Sequence, residues 1–266
     1  VPRPDSLAYQ KELLTQYIAD MILDNRLDAM TEKPDTPFTS ASIYSGVSFN
    51  CLGYAKLSAN SAPENWEKVL PLLEQFLRQA IAFGFSESEL DRVKKDILAE
   101  LDAAVLKKKT RDSEHLARLI IRNLNDDKVL QSPEQEKVCY ADFVKSLTIS
   151  QVHNAFKTVW ERNHRLILVT GNADIMGGRS ESSESGRLST PEAMIKAVFD
   201  KSAKKEIAAP EQERAVKFPY LPDPETPGNM LQRTEIFDLG IEQIDYENGI
   251  RLNLKKTDFK KNEVVA

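Results

Sequence analysis

Histidine and cysteine are scarce in this chain, with three and two residues out of 266. Few side chains are therefore available for a metal or general-base site. The histidines stand at His115, His153 and His164, and no two are four apart. Neither helical zinc pattern, His-Glu-x-x-His or its inverse His-x-x-Glu-His, is present. The nearest approach is Glu114-His115, where the inverse pattern needs its first histidine at Arg111, and a guanidinium cannot ligate zinc. His115 reads as a polar residue on an exposed helix face. His153, between Val152 and Phe156, reads as a half-buried structural histidine, and His164 as a turn residue. Cys51 and Cys139 could pair, but two isolated cysteines read first as small buried hydrophobes, so the redox compartment stays open. No spacing supports a Cys–His nucleophilic pair.

An excess of basic charge is also missing. The net charge is -5, which argues against a nucleic-acid partner, because phosphate binding needs a basic face. No apolar run approaches a membrane span. The chain opens Val1-Pro-Arg-Pro-Asp5, with no starting Met and no basic-then-apolar leader. It reads as an excised or processed piece, whose targeting signals would lie out of sight. Gly171, Gly177 and Gly178 follow an apolar run, but match neither glycine-rich phosphate-binding pattern. Lys107, Lys108 and Lys109 complement a helix dipole at its C-terminus and need no ligand. The acidic stretches 86–102 and 134–136 read as solvated faces.

What is present is an ordinary globular composition, 41% hydrophobic and 29% charged. Apolar residues Leu14, Ile18, Met21 and Ile22 mark a helix from after Asp5 to about Met30. Pro34 and Pro37 break it. Alternation at Ile43, Val47 and Phe49, then Tyr54 and Leu57, predicts two strands separated near Cys51-Leu-Gly53. Helix starts follow at Ser61-Ala-Pro-Glu64, Ser86/Glu89, Ser132/Gln135 and Thr148/Gln151, each with the spacing of a capping box. A further amphipathic helix is expected over 111–125. Pro71 should kink its helix unless it lies within the first turns. Residues 165–170, Arg-Leu-Ile-Leu-Val-Thr, read as a buried strand. A glycine- and serine-rich loop, a helix from Pro191 to about Ser202 and a stretch with five prolines from Pro210 to Gly228 come next. Alternation around Asn248-Gly249 predicts a closing hairpin, with strands 241–246 and 250–255. The expected core comprises Leu14, Ile18, Phe49, Leu73, Phe76 and Leu90, with Val93, Ile97, Ile120, Phe156, Ile167 and Val169.

The order of these elements carries a resemblance. A helix closes on Arg26-Leu27, and Pro37-Phe38 follows, then strands through Ser48-Phe49 and Tyr54-Ala55. Next come Gly84-Phe-Ser86-Glu-Ser-Glu89-Leu90, and Leu147-Thr148-Ile-Ser-Gln-Val152 before a helix. Over about residues 6–175 this resembles the second, non-catalytic repeat of the insulinase-like (M16) zinc peptidases. Ile244-Asp-Tyr-Glu-Asn248-Gly249-Ile-Arg-Leu similarly resembles the opening strand of a further repeat. The resemblance implies an α+β fold, an antiparallel or mixed sheet with helices packed on it. It divides the chain into a repeat at 1–178, a loop, helix and proline-rich linker at 179–233, and truncated opening strands at 234–266.

The implied function is that of a structural, substrate-enclosing piece of a zinc metalloendopeptidase, inactive alone. The alternative is part of a non-catalytic scaffold or processing-peptidase-type partner subunit. No catalytic, cofactor-binding or metal residue carries over. Zinc is implied only for the catalytic repeat of a parent protein, and Arg162 and Arg165 do not match the family's substrate-binding pair. Implied partners are the other repeats and a peptide substrate. Exported bacterial members of the family point to the periplasm by analogy. The closing strands, as an isolated hairpin, are expected to dock by strand addition on a sheet edge in their own or a neighbouring chain.

Overall fold

The structure, a computed structural model, describes residues 3–48, 51–162, 165–172, 190–210 and 228–258. It is an α+β arrangement with two small antiparallel sheets. Helix α1 (Leu7–Thr31) starts where Ser6 Oγ accepts the Tyr9 amide at 3.2 Å. Ile18, Ala19, Leu23 and Leu27 on it have no exposed surface at all. Neighbours lie on several sides of the helix: strand β1 (Ser40–Ser48) and helices α3 (Glu87–Leu106) and α6 (Ile149–Trp160) all pack on it. Its buried residues, Thr15, Ile18, Ala19, Asp20, Ile22, Leu23 and Leu27, form one broad face rather than a narrow stripe.

Strand β1 pairs with β2 (Leu52–Asn60), in register from Ser40 opposite Asn60 to Ser48 opposite Leu52. Cys51 sits exposed at the connection, so it is not the buried hydrophobe its isolation suggested. A thiol at a tight hairpin tip has no core to enter. Cys139 is half-buried, and both thiols are free.

Helix α2 (Trp66–Phe83) follows a short 3-10 turn at Pro63–Asn65. The capping box expected at Ser61 is absent. Ser61 Oγ donates to the neighbouring Ala62 carbonyl instead, and the proline forms the 3-10 turn. Pro71 lies in the second turn of α2, and the helix continues through it. The boxes at Ser86/Glu89, Ser132/Gln135 and Thr148/Gln151 are all formed, opening α3, α5 (Pro133–Ser146) and α6. Each satisfies otherwise orphaned N–H groups at the helix start.

Leu14 and Leu73 are half-buried against the core cluster, whereas three expected core residues lie outside it. Ile120 is 38% exposed on helix α4 (Ser113–Asn125), which buries no residue. Ile167 and Val169 are only half-buried, while Leu166 and Leu168 stand 88% and 73% exposed. Residues 165–170 form no strand. An apolar run becomes a strand only beside a partner edge, and no described strand pairs with it. Phe49 lies outside the described residues.

Helix α7 (Pro191–Ala203) is seated on α2. Beyond it, β3 (Met230–Ile236), β4 (Ile241–Tyr246) and β5 (Arg251–Lys255) form a three-stranded sheet in that order. The Asn248-Gly249 turn is formed, with Gly249 at φ 84°. Among the described residues the closing hairpin, expected to dock on a sheet edge in its own or a neighbouring chain, takes β3 as its third strand, and β1 pairs with β2 alone.

Candidate functional site

Two motifs of the resemblance meet at one place. Arg26 near the end of α1 donates Nε to Glu89 Oε1 at 2.5 Å and Nη2 to Glu89 Oε2 at 2.9 Å. The same Nη2 donates to the Gly84 carbonyl at 3.0 Å. Its guanidinium also lies 5.5 Å from the centre of the Phe85 ring. Glu89 completes the capping box by accepting from the Ser86 amide at 2.7 Å and the Ser86 hydroxyl at 2.9 Å. Arg26, Gly84, Phe85, Ser86 and Glu89 thus form one clasp that ties α1 to the start of α3. Burial pushes the Glu89 carboxyl up, but the bonds from Arg26 and Ser86 outweigh it and hold it below its ordinary range.

Gly84, at φ 71°, ends α2 and turns the chain so that Phe85 enters the core. Phe85 stands edge-on to His153 and Phe156, at 5.8 and 5.6 Å between ring centres. His153 Nε2 is 2.9 Å from the Ile81 carbonyl, which fixes the ring from its other side. His153 is therefore half-buried and structural in its contacts. His115 is exposed on α4, next to a Glu114–Arg118 ion pair. His164 lies outside the described residues, as do Gly177 and Gly178.

A second constellation joins α1 to the sheet. Asp20, 3% exposed, accepts both the amide and the hydroxyl of Ser45 at 2.6 Å. Asp24, one turn on, accepts the Ile43 amide at 3.1 Å. Two carboxylates at i and i+4 thus occupy the outer edge of β1, which the pairing with β2 leaves free. Such an edge is closed to a further strand at these positions. Asp20 Oδ1 and the Trp160 indole Nε1 are both buried without a hydrogen-bond partner. Burial pushes the Asp20 carboxyl above its ordinary range, outweighing the two bonds from Ser45 that favour the anion.

Neither constellation fits a zinc site. Among the described residues, no three His, Cys, Asp or Glu side chains lie together in a way that could hold a metal ion. The notch beside the clasp, between Asn25, Arg26, Glu89 and Arg92, has a volume of about 30 Å³, room for roughly one water. A wider cleft of about 290 Å³ lies between the N-terminal segment and the end of α4, lined by Arg3, Asp5, Tyr9, Asp127 and Lys128. Among the described residues, no helix is long and apolar enough to cross a membrane. Arg162 and Arg165 are exposed after α6, and Arg165 donates back to the Trp160 carbonyl at 3.3 Å.

This α+β arrangement is the fold of insulinase-like proteases. PqqL, a periplasmic protease from Escherichia coli, superposes over 95% of this chain and 27% of its own with a TM-score of 0.59, at 18% identity. The first half of the same protease gives a TM-score of 0.59 over 79% of this chain and 43% of that one, at 17% identity. A predicted insulinase family protease from Yersinia pestis gives 0.52 over 74% and 41%, at 13% identity. The chain therefore spans less than half the length of each of these proteins. No family model matches the sequence, and no curated protein matches it. At these identities the likeness is one of fold.

Proposed function

We propose that this chain is a structural and substrate-enclosing repeat of a zinc-dependent M16 metalloendopeptidase, without a zinc site of its own. The observation that carries this reading is the clasp. The spaced motifs of the resemblance, Arg26-Leu27 and Gly84-Phe-Ser-x-x-Glu89-Leu90, are drawn together by contacts that hold helices in place and leave no room for a reacting substrate. The fold likeness to proteases of at least twice this length supports a part rather than a whole. On this reading residues 1–178 are the repeat, 179–233 the connection and 234–266 the opening of the next repeat. Zinc chemistry and peptide cleavage belong to another repeat.

The test is metal analysis and a peptide-hydrolysis assay on the chelator-treated, zinc-reloaded chain. The expected result is no tightly held zinc and no cleavage. One tightly held equivalent per chain accompanied by hydrolysis overturns the proposal.

A further inference from the structure

The sequence holds a single Asn-Gly step, Asn248-Gly249, and the fold places it at the exposed turn between β4 and β5. Asparagine is a chemically labile residue, above all where the next amide nitrogen can reach its side-chain carbon. Glycine in the following position hinders that approach least, because it has no Cβ and the widest backbone freedom. At Gly249 even an added Cβ would meet nothing within 4 Å, so the approach is open on that side.

In the closed turn both reacting groups are held. The Gly249 amide donates to the Tyr246 carbonyl at 3.0 Å, so the proton it must lose is engaged. Asn248 Oδ1 accepts the Ile250 amide at 3.1 Å, which fixes the carboxamide toward Ile250 and away from the Gly249 nitrogen. The structure holding the turn is slight. Among the described residues β5 pairs with β4 alone, and no residue of β3, β4 or β5 is buried. A small sheet of this kind opens at low free-energy cost. Opening the turn breaks both bonds and frees the nucleophile and the electrophile together.

We propose that Asn248 is a site of self-modification by deamidation, gated by opening of the β4–β5 turn. The Gly249 nitrogen gives its proton to hydroxide and attacks Asn248 Cγ. A nitrogen–carbon bond forms, the bond from Cγ to Nδ2 breaks, and Nδ2 leaves as ammonia with a proton from water. The product is a cyclic succinimide. Water then adds to one of its two carbonyls and breaks that ring carbon–nitrogen bond, giving an aspartyl or an isoaspartyl residue at 248. In sum one water enters and one ammonia leaves, with no oxidation or reduction. Either product adds a negative charge next to Glu247. The isoaspartyl product also lengthens the main chain by a methylene inside the turn, so Tyr246 and Ile250 no longer meet and β5 is released. This site is independent of the proposed protease role.

Peptide mapping by mass spectrometry of the full chain, incubated in mildly alkaline buffer with and without urea, tests it. In the folded chain residue 248 should exchange NH for O before any other asparagine does. In urea the conversion should run about tenfold faster or more, the inverse of the fraction of time the folded turn is open. Asn248→Gln, whose longer side chain disfavours the ring, should show no conversion at 248. The isoaspartyl fraction, separated by its added charge and identified by its fragmentation, should be cut by trypsin after Arg251 several-fold faster than the unmodified chain. Conversion at 248 no faster than at Asn60, which precedes Ser61, a rate indifferent to urea, or equal cutting of the two fractions overturns the proposal.

Discussion

Arg26 grips Glu89 edge to edge across 63 residues of sequence, and the same guanidinium holds the carbonyl of Gly84. The pair is mostly shielded, with side-chain exposures of 16% and 24%. Removing the arginine leaves a shielded carboxylate and an unpaired carbonyl. Arg26→Ala should therefore destabilise the chain by about 1–3 kcal/mol in urea unfolding. Arg26→Lys should recover little of this, because a point-charge ammonium cannot serve both carboxylate oxygens and the carbonyl from one plane. Full recovery by lysine would show that charge alone, not the fork geometry, holds the helices.

The two carboxylates that anchor α1 should give opposite pH dependences. Glu89 is held below its ordinary 4.5, so its contribution to stability is present above that value and is lost as pH falls through its depressed value. Asp20 is pushed above its ordinary 3.8, so its contribution is complete below 3.8 and is lost as pH rises through its raised value. Urea unfolding from about pH 3 to 7 of wild type, Glu89→Gln and Asp20→Asn separates the two. As pH falls, the wild-type advantage over Glu89→Gln should shrink, and its standing against Asp20→Asn should improve. Parallel trends in the two comparisons would contradict these environments.

Much of the helical frame is legible because its signals are local. Ser86/Glu89, Ser132/Gln135 and Thr148/Gln151 each declare a helix start within four residues, and all three form. Where partners are distant, local pattern misleads. Leu166 to Val169 has the composition of a buried strand, but a strand needs an adjacent edge, and no described strand supplies one. Strand β3 escapes notice for the converse reason. Met-Leu-Gln-Arg-Thr-Glu-Ile follows a proline-rich stretch and mixes polar with apolar residues, yet β4 offers it a ladder. Ile120 sits at a helix-stripe position that the described residues leave 38% exposed. In the clasp, the residues stand out through their motifs, while the bond between Arg26 and Glu89 shows only once α1 and α3 are packed.

Helix α7 is attached to α2 by a compact polar knot. The fully buried Ser202 hydroxyl donates to Glu74 Oε2 at 2.6 Å and accepts from Gln75 Nε2 at 3.1 Å. Arg78 pairs with Glu74 and holds the Ser202 and Lys205 carbonyls at 3.0 and 2.9 Å. Arg78 thereby adds a second donor to the Ser202 carbonyl, which also accepts the Lys205 amide at 2.9 Å, and holds the Lys205 carbonyl just beyond the helix end. Ser202→Ala should cost about 1 kcal/mol. Amide exchange should localise the effect, with faster exchange over 191–203 and unchanged protection in α1 and α3. Uniform acceleration throughout would mean that α7 unfolds only with the rest of the chain.

Gly84 offers a way to separate backbone strain from steric crowding. A Cβ at this position would lie 3.0 Å from His153 Nδ1 and 3.1 Å from its Cγ, on a backbone at φ +71°. Gly84→Ala therefore meets two penalties, an unfavourable conformation for an L-residue and a contact with a ring pinned to the Ile81 carbonyl. A destabilisation of at least about 1 kcal/mol is expected from the conformational part alone. His153→Ala removes the ring and should cost stability of its own, through the lost bond to Ile81 and the lost edge contact with Phe85. In the double variant the crowding is gone and the positive φ remains. The two losses should then sum to less than their separate values, and the shortfall measures the steric part. Strict additivity in chemical unfolding would mean that the His153 ring moves aside freely, so that backbone conformation alone demands glycine at this turn.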